Sequence, residues 1–462
     1  MQNKKIVLLV ATVAAFLAPF MSASINIALP AIGGEFRMTA VALGWVATAY
    51  ILAAAACLVP FGKIADIAGR KRIFGAGSLV YALSSGLAAV APSGEVLIAS
   101  RVLQGIGSAM IFSTGMAMLT AAFPPGERGK VLGINTASTY LGLSLGPVLG
   151  GFLTESLGWR SVFVVNAALG IFLVALVLGK LKGEWAEAKG DRFDAVGAVL
   201  MAAGLVALMF GLGRLPAVVG IAFVTAGIVL IVGFIGWEAR FPSPLLDLNL
   251  FRRNTAFAFS NLAALINYSA TFAVGFLLSL YLQYIKGLRP REAGLLLIAQ
   301  PVMMAIFSPL AGKRSDRIEP RILASTGMAI SAAGLFLLAL LGRETALAFV
   351  GAALIVLGFG FALFSSPNTN AVMSSVEKKD YGVASATLGT MRLTGQMLSM
   401  GTAMLIFALF IGRVPITPAV FPQYLAALRT AFLIFGGLCA LGVFASHARG
   451  KLSRGNQTSV KP

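Results

Sequence analysis

The residues of this chain best suited to chemistry are charges placed where charge is costly. Arg101 and Arg392 interrupt stretches otherwise built from Ala, Leu, Gly, Phe and Ile, and Arg392 has charge-free flanks of 11 and 20 residues. A guanidinium so placed can hold an anion or exchange protons with a carboxylate, and its cost in an apolar medium makes a functional role the default reading. Gln396 lies one turn beyond Arg392, on the same helix face. Arg101, a turn or two from the edge of its stretch, can also snorkel to an interface. The acids behave differently. All 17 Asp and Glu stand in loops or at the edges of apolar stretches, so Glu155, Glu95 and Glu35 are the nearest candidates to load and release a proton. The single histidine, His447, falls near the end of the last stretch and reads as interfacial. No nucleophile pairs with a histidine, no metal-ligand cluster exists and no phosphate loop is present, so enzyme chemistry and a bound cofactor are both set aside. Cys57 and Cys439 read as small core residues.

The elements that must carry these residues follow from charge scarcity. Charged residues are 11% of the 462, against about 25% in soluble domains, and AVILMFWYC residues make up 58%. A soluble globule is excluded. Fourteen charge-free runs of at least nineteen residues cover 6–34, 38–62, 73–94, 102–126, 131–154, 161–179, 195–213, 215–237, 254–285, 293–312, 322–342, 345–376, 393–412 and 430–448. A helix of about 20 apolar residues crosses a hydrocarbon core, whereas barrel strands alternate in polarity and nothing here does. The expectation is an all-α integral membrane protein with fourteen transmembrane helices. The first run continues to Pro30, too long for a signal peptide, and reads as an uncleaved first span.

Basic residues orient the spans. With the N-terminus in the cytoplasm, cytoplasmic segments hold 25 Lys and Arg, including Lys189, Lys378, Lys379 and Lys451, and outer loops hold 9. Both termini are therefore expected in the cytoplasm, in a multi-pass protein of the cell membrane. The net charge of +19 is spread among short loops, where it anchors topology against anionic lipid rather than binding nucleic acid.

A repeat divides the chain. GKIADIAGRKR (Gly62 to Arg72) follows the second span, and GKRSDRIEPR (Gly312 to Arg321) follows the tenth, each with an acid four residues after its glycine, Asp66 and Asp316. The expected organisation is a six-helix bundle over 1–180, a linker with two extra helices over 181–253 and a second six-helix bundle over 254–462. Parallel repeats of this kind place a small-molecule site near the midplane between halves. In the fifth span Gly142, Gly146 and Gly150 share one face, which permits close helix approach or ordinary packing, and Pro147 adds a break.

With these residues in view, the sequence resembles the major facilitator superfamily, specifically its fourteen-helix drug:proton antiporter branch. Gly62, Asp66, Gly69, Arg70, Lys71 and Arg72 match the signature of the loop between helices 2 and 3. RVLQGIG (Arg101, Gln104, Gly105, Gly107) resembles the helix 4 signature, and GLSLGPVLGG resembles the helix 5 antiporter signature. Branch marks are NIALP (Asn26 to Pro30), Trp159-Arg160 with Phe163 and Asn166, YLQ (Tyr281 to Gln283) and PNTN (Pro367 to Asn370). The resemblance implies the major facilitator fold, acting as a monomer by alternating access. It also implies a cytoplasmic latch at Gly62, Asp66, Gly69, Arg70 and Asp316, and a hinge at Gly142, Gly146, Pro147 and Gly150. Cavity residues would come from Ser22, Ser24, Asn26, Arg101, Gln104, Asn135, Asn267, Tyr268, Gln300, Asn368, Asn370, Arg392 and Gln396. Each polar residue among them can equally bond a neighbouring helix.

One position departs from the branch. Many relatives carry an acid five residues before the asparagine of the NxALP segment, and here that position is Met21. Two readings remain open. Coupling runs through an edge carboxylate such as Glu155, in exchange with Arg101 or Arg160. Alternatively the substrate is neutral or anionic, drawn by Arg101 and Arg392, with different coupling. The leading expectation is a proton-driven exporter of small amphiphilic molecules, with a non-transporting sensor of the same fold as a further alternative.

Overall fold

The structure, a computed structural model, describes residues 4–186, 190, 192–242, 244–246, 248–315, 317–377 and 381–450, the side chains of 125, 126, 128 and 129 excepted. Among these residues the chain is helical and forms no strand. The first half holds α1 (Lys4–Phe36), α2 (Ala40–Ala68), α3 (Arg70–Ala89), α4 (Gly94–Ala122), α5 (Pro125–Leu157) and α6 (Arg160–Lys180). A hairpin of α7 (Ala195–Leu212) and α8 (Val218–Glu238) follows, then a short α9 (Leu248–Arg253). The second half opens with α10 (Thr255–Thr271) and α11 (Val274–Leu280), which run on into a π turn at Tyr281–Ile285. It continues with α12 (Pro290–Leu297), α13 (Ala299–Ser315), α14 (Pro320–Leu338), α15 (Leu347–Ser374), α16 (Tyr381–Phe410) and α17 (Phe421–Ala448).

Among the described residues, twelve helical segments are long and apolar enough to cross a membrane, counting α10 to the π turn and α12–α13 as one each. The two runs outside the twelve fall on α3 and α5, whose Ser, Thr and Gly content dilutes their apolarity. The charge-free runs saw only where charge was absent, and that is a coarser measure than hydropathy. Helix starts are set by ordinary caps: the hydroxyls of Thr39 and Ser93 accept from the amides of Ala42 and Val96, and the carboxylate of Asp194 accepts from Gly197.

The same pairings recur in both halves. In the first, α1 packs on α5, α2 on α4, and α3 on α4 and α6. In the second, α10 packs on α16, α13 on α15, and α14 on α15 and α17. Close packing depends on missing side chains: a Cβ on Gly142 would stand 2.5 Å from Phe16 O of α1, and one on Gly105 would stand 2.8 Å from the Ala53 Cβ of α2. Without a hydrophobic drive between helices in lipid, such backbone contact is what holds the bundle.

The terminal end of the molecule is marked by the starts of α1, α5 and α10 and the ends of α15 and α17. There Lys4 pairs with Glu127 at 3.2 Å and Arg449 Nη1 donates to Ser260 Oγ at 3.3 Å. The opposite, distal end carries Glu35, which accepts from the Trp159 indole and Arg160 at 2.7 and 2.8 Å.

Candidate functional site

The halves are joined by hydrogen bonds clustered at the distal end. Ser279 Oγ donates to Asn26 O at 2.5 Å, Gln283 Nε2 to Ile27 O at 3.1 Å, and Ala40 N to Val414 O at 3.1 Å. The NIALP and YLQ segments therefore meet each other, and the π turn re-aims Gln283 toward α1, a common use of that distortion. A carboxylate completes the seal. Glu155, at the end of α5, accepts from the Arg291 amide at 3.2 Å, which is one of the open N–H groups at the start of α12, and Arg289 stands 3.9 Å away. It caps a helix of the other half, where its charge also favours the helix dipole.

Toward the terminal end α2 still meets α16, with Leu58 Cδ2 3.5 Å from where a Cβ on Gly389 would stand, but α5 is left uncovered. In α5, residues 133, 134, 136 and 137 are exposed and Asn135 is half-buried. Five successive residues sweep about 400° around a helix, more than a full turn. Exposure right round the helix leaves room beside the terminal part of α5. Around this space Tyr140 of α5 lies beside Ser308 of α13, Ser365 of α15, Tyr268 of α10 and Arg392 of α16. Arg392 Nη2 donates to Thr369 Oγ1 at 2.6 Å, its guanidinium stands 5.7 Å from the Tyr268 ring centre, and its buried Nε has no partner. No carboxylate pairs with it among the described residues. A half-buried guanidinium with an unused donor and two tyrosines suits an anionic or hydrogen-bond-accepting group.

Other expected cavity residues fall elsewhere. Arg101 is 1% exposed and sealed inside the first half: Nε donates to Val46 O at 3.0 Å, Nη1 donates to Gln104 Oε1, and the guanidinium stacks 4.4 Å from the Tyr50 ring centre. Gln104 passes the chain on to Ser85 Oγ at 2.7 Å. Both lie off that space. Asn368 is 1% exposed and donates to Ser260 O at 3.0 Å; Asn370 donates to Ser315 Oγ at 2.9 Å. The PNTN segment thus ties α15 to α10 and α13, and places Thr369 on Arg392. Asn267 is fully buried, with its Nδ2 3.9 Å from Cys439 Sγ. Asn135 donates to Ala11 O at 3.0 Å, while Asn26 stands half-buried between α1 and α11. Gln300 and Gln396 are half-buried. Met21 is fully buried in the core.

The glycine stripe of α5 divides its work. Gly142, Gly146 and Gly150 face α1 within the same half. Contact with the other half comes from their neighbours: a Cβ on Gly151 would stand 2.5 Å from Pro290 O, and one on Gly294 would overlap Pro147 O and stand 2.8 Å from Pro147 C. The break expected at Pro147 is not seen, since α5 is continuous through it; sequence reasoning missed Gly294, whose only signal was a glycine in a helix start.

At the terminal end Asp66 accepts from Arg70 Nε at 2.8 Å within its own loop. Gly69 adopts φ of +116°, and a Cβ there would stand 2.5 Å from Glu184 Cδ. Glu184, just past α6, accepts from the amides of Lys71 and Arg72 at 2.7 and 3.3 Å and so caps α3, which has no cap of its own. Gly62 is half-buried in α2, and Lys63 and Arg70 have further partners. Asp316 lies outside the described residues, as do Lys189, Lys378, Lys379 and Lys451. Asp66→Asn is expected to cut transport in proteoliposomes at least tenfold while membrane insertion, followed by expression and gel filtration, stays normal; unchanged transport rates would sink the latch.

A helical bundle of repeated halves, closed at one end around a polar chamber, defines the class of secondary membrane transporters. Residues 11–237 and 260–458 match the Major Facilitator Superfamily, and the chain belongs to that family. It is 30% identical over 87% of its length to the riboflavin transporter RibZ of Clostridioides difficile, covering 88% of that protein. It is 34% identical to the cephamycin export protein CmcT of Amycolatopsis lactamdurans (84% of this chain, 82% of that one). It is 32% identical to the multidrug resistance protein Stp of Mycobacterium tuberculosis (86% and 75%). A bacterial homolog of the human lysosomal transporter Spinster shares the fold, with a TM-score of 0.72 at 17% identity over 96% of this chain and 97% of that one. The protein is a transporter and not an enzyme.

Proposed function

We propose that this chain exports small amphiphilic molecules across the cell membrane by alternating access, driven by the proton gradient. The observation that carries the reading is the asymmetry between a hydrogen-bonded distal end and an open terminal end with the Arg392 chamber above it. Under the charge count the terminal end is cytoplasmic, so this is the inward-facing state. All fourteen helical segments span in this reading, α3 and α5 shielded by their neighbours. The antiporter resemblance and the export proteins among its relatives set the direction. Glu155 is the coupling acid of this reading: protonated from outside, it would release the start of α12 and let the distal end open.

A second reading concerns the substrate. An unpaired guanidinium in the chamber, with no acid beside it, favours a neutral or anionic molecule over a cationic dye. The deciding experiment is transport in proteoliposomes under an imposed pH gradient, with cationic, neutral and anionic amphiphiles compared. Gradient-dependent movement of anionic compounds, lost in Glu155→Gln, is expected. Transport unchanged by a protonophore and by Glu155→Gln removes the coupling assignment, and no transport of any compound removes the exporter.

A further inference from the structure

Two acids that the sequence places at helix edges are not exposed there. Asp194, capping α7, and Glu238, ending α8, are 1% and 3% exposed. Their carboxyl groups meet over Gly197: a Cβ on that residue would overlap Asp194 Oδ2 and stand 2.7 Å from Glu238 Oε1. The remaining oxygens are spoken for. Asp194 Oδ1 accepts from Gly197 N at 2.9 Å and from the Trp237 indole at 3.0 Å, the indole also reaching Oδ2 at 3.2 Å, and Glu238 Oε2 accepts from Leu246 N at 3.1 Å. Glu238 Oε1 has no donor. Asp194 is the one charged group acting on Glu238 among the described residues, and the bases nearest in sequence, Arg192 and Arg240, are exposed.

Two buried carboxyl groups facing each other, with no cation beside them among the described residues, disfavour double ionisation. We propose that Asp194 and Glu238 form a proton-binding site, holding one proton between Glu238 Oε1 and Asp194 Oδ2. The proton supplies the missing donor at Oε1. It also fastens the segment after α8, since the same Glu238 carboxyl holds the Leu246 amide on the way to the second half. When the proton leaves to bulk water, two like charges face each other and that segment is released. The site lies on the α7–α8 hairpin, apart from the Arg392 chamber, and does not depend on what is transported or how it is coupled.

Because the folded protein holds a proton that the unfolded chain gives up, stability from this site falls as pH rises. The test uses the purified full chain in lipid. Infrared difference spectra should show a protonated carboxyl stretch at neutral pH that disappears in Glu238→Gln. The wild-type melting temperature should fall between about pH 5 and about pH 7 more steeply than that of Glu238→Gln, which keeps the protonated shape without titrating, and the two slopes should converge at higher pH. Asp194→Asn keeps the helix cap and removes the neighbouring charge but leaves Glu238 buried, so it should reduce the slope in part, and it serves if Glu238→Gln does not fold. A carboxyl band and a pH slope identical in wild type and in the variants overturn the site.

Discussion

Gly294→Val is expected to abolish transport while leaving the protein folded and in the membrane. The reason lies in one backbone contact. Gly294 of α12 meets the Pro147 carbonyl of α5, and a side chain there would overlap that oxygen. Pro147 lies inside α5, which runs as one continuous helix from Pro125 to Leu157, so its carbonyl can move only with the helix backbone. Neither side can yield cheaply, because the contact is backbone on backbone rather than the tip of a flexible side chain. Overpacking of this kind costs about 1–3 kcal/mol, enough to shift a two-state equilibrium roughly tenfold to hundredfold. The cost falls only on the state in which α5 and α12 touch, so the variant is driven to open at the distal end. A cysteine at Ser279, fully buried in the closed end, reports this directly. In a background with Cys57 and Cys439 replaced, an impermeant maleimide should label it slowly in the parent and fast in Gly294→Val. Parent-like transport together with slow labelling would remove the gate.

The gate and the loop between α2 and α3 use the same device. In each a carboxylate from another segment caps a helix start: Glu155 on α12 across the halves, and Glu184 on α3 from the segment after α6. A helix start in a membrane bundle has open N–H groups and little water to satisfy them. An acid at the membrane edge supplies the acceptor and favours the dipole, and it can be withdrawn by protonation or by movement of the segment that carries it.

Much of this was legible before any coordinates. Runs without charge located the helices because a hydrocarbon core penalises charge over a length set by its thickness. The GKIADIAGRKR and GKRSDRIEPR pair announced the two halves, and the helix pairings repeat accordingly. Burial was not legible. Sequence put Arg101 nearer an edge than Arg392 and so within reach of water, yet Arg101 is sealed by Val46 O, Gln104 and Tyr50, and Arg392 keeps a free donor beside Tyr268. What separates them is the side of the helix that its neighbours cover, and that is decided by tertiary packing. Asp194 and Glu238 were hidden for the opposite reason: position at a helix edge says nothing of burial, and here the Leu246 amide and the Trp237 indole close onto them. Glu184 stood in a charged linker with no pattern to set it apart from Glu187.

Arg392→Gln is expected to lower transport of anionic amphiphiles at least tenfold and to affect neutral ones much less. Glutamine keeps a donor for Thr369 Oγ1 and a polar chamber, and removes the charge and the unused Nε. Truncating a charged, hydrogen-bonded group that a ligand pairs with costs about 2–5 kcal/mol, and exposure of the chamber to water brings the figure toward the lower end. Arg392→Lys restores the charge without the planar fork, so it should recover part of the anionic transport but not the preference among acceptor geometries. A purely structural arginine predicts another pattern. Loss of the Thr369 bond and the Tyr268 contact would lower melting temperature and transport of every compound together, and lysine would not discriminate by substrate charge. Competition curves for one anionic and one neutral compound, measured on wild type, Arg392→Gln and Arg392→Lys in the same vesicles, separate the two. Equal losses for both compounds would leave Arg392 a packing residue and return the question of substrate charge to the tyrosines and serines around it.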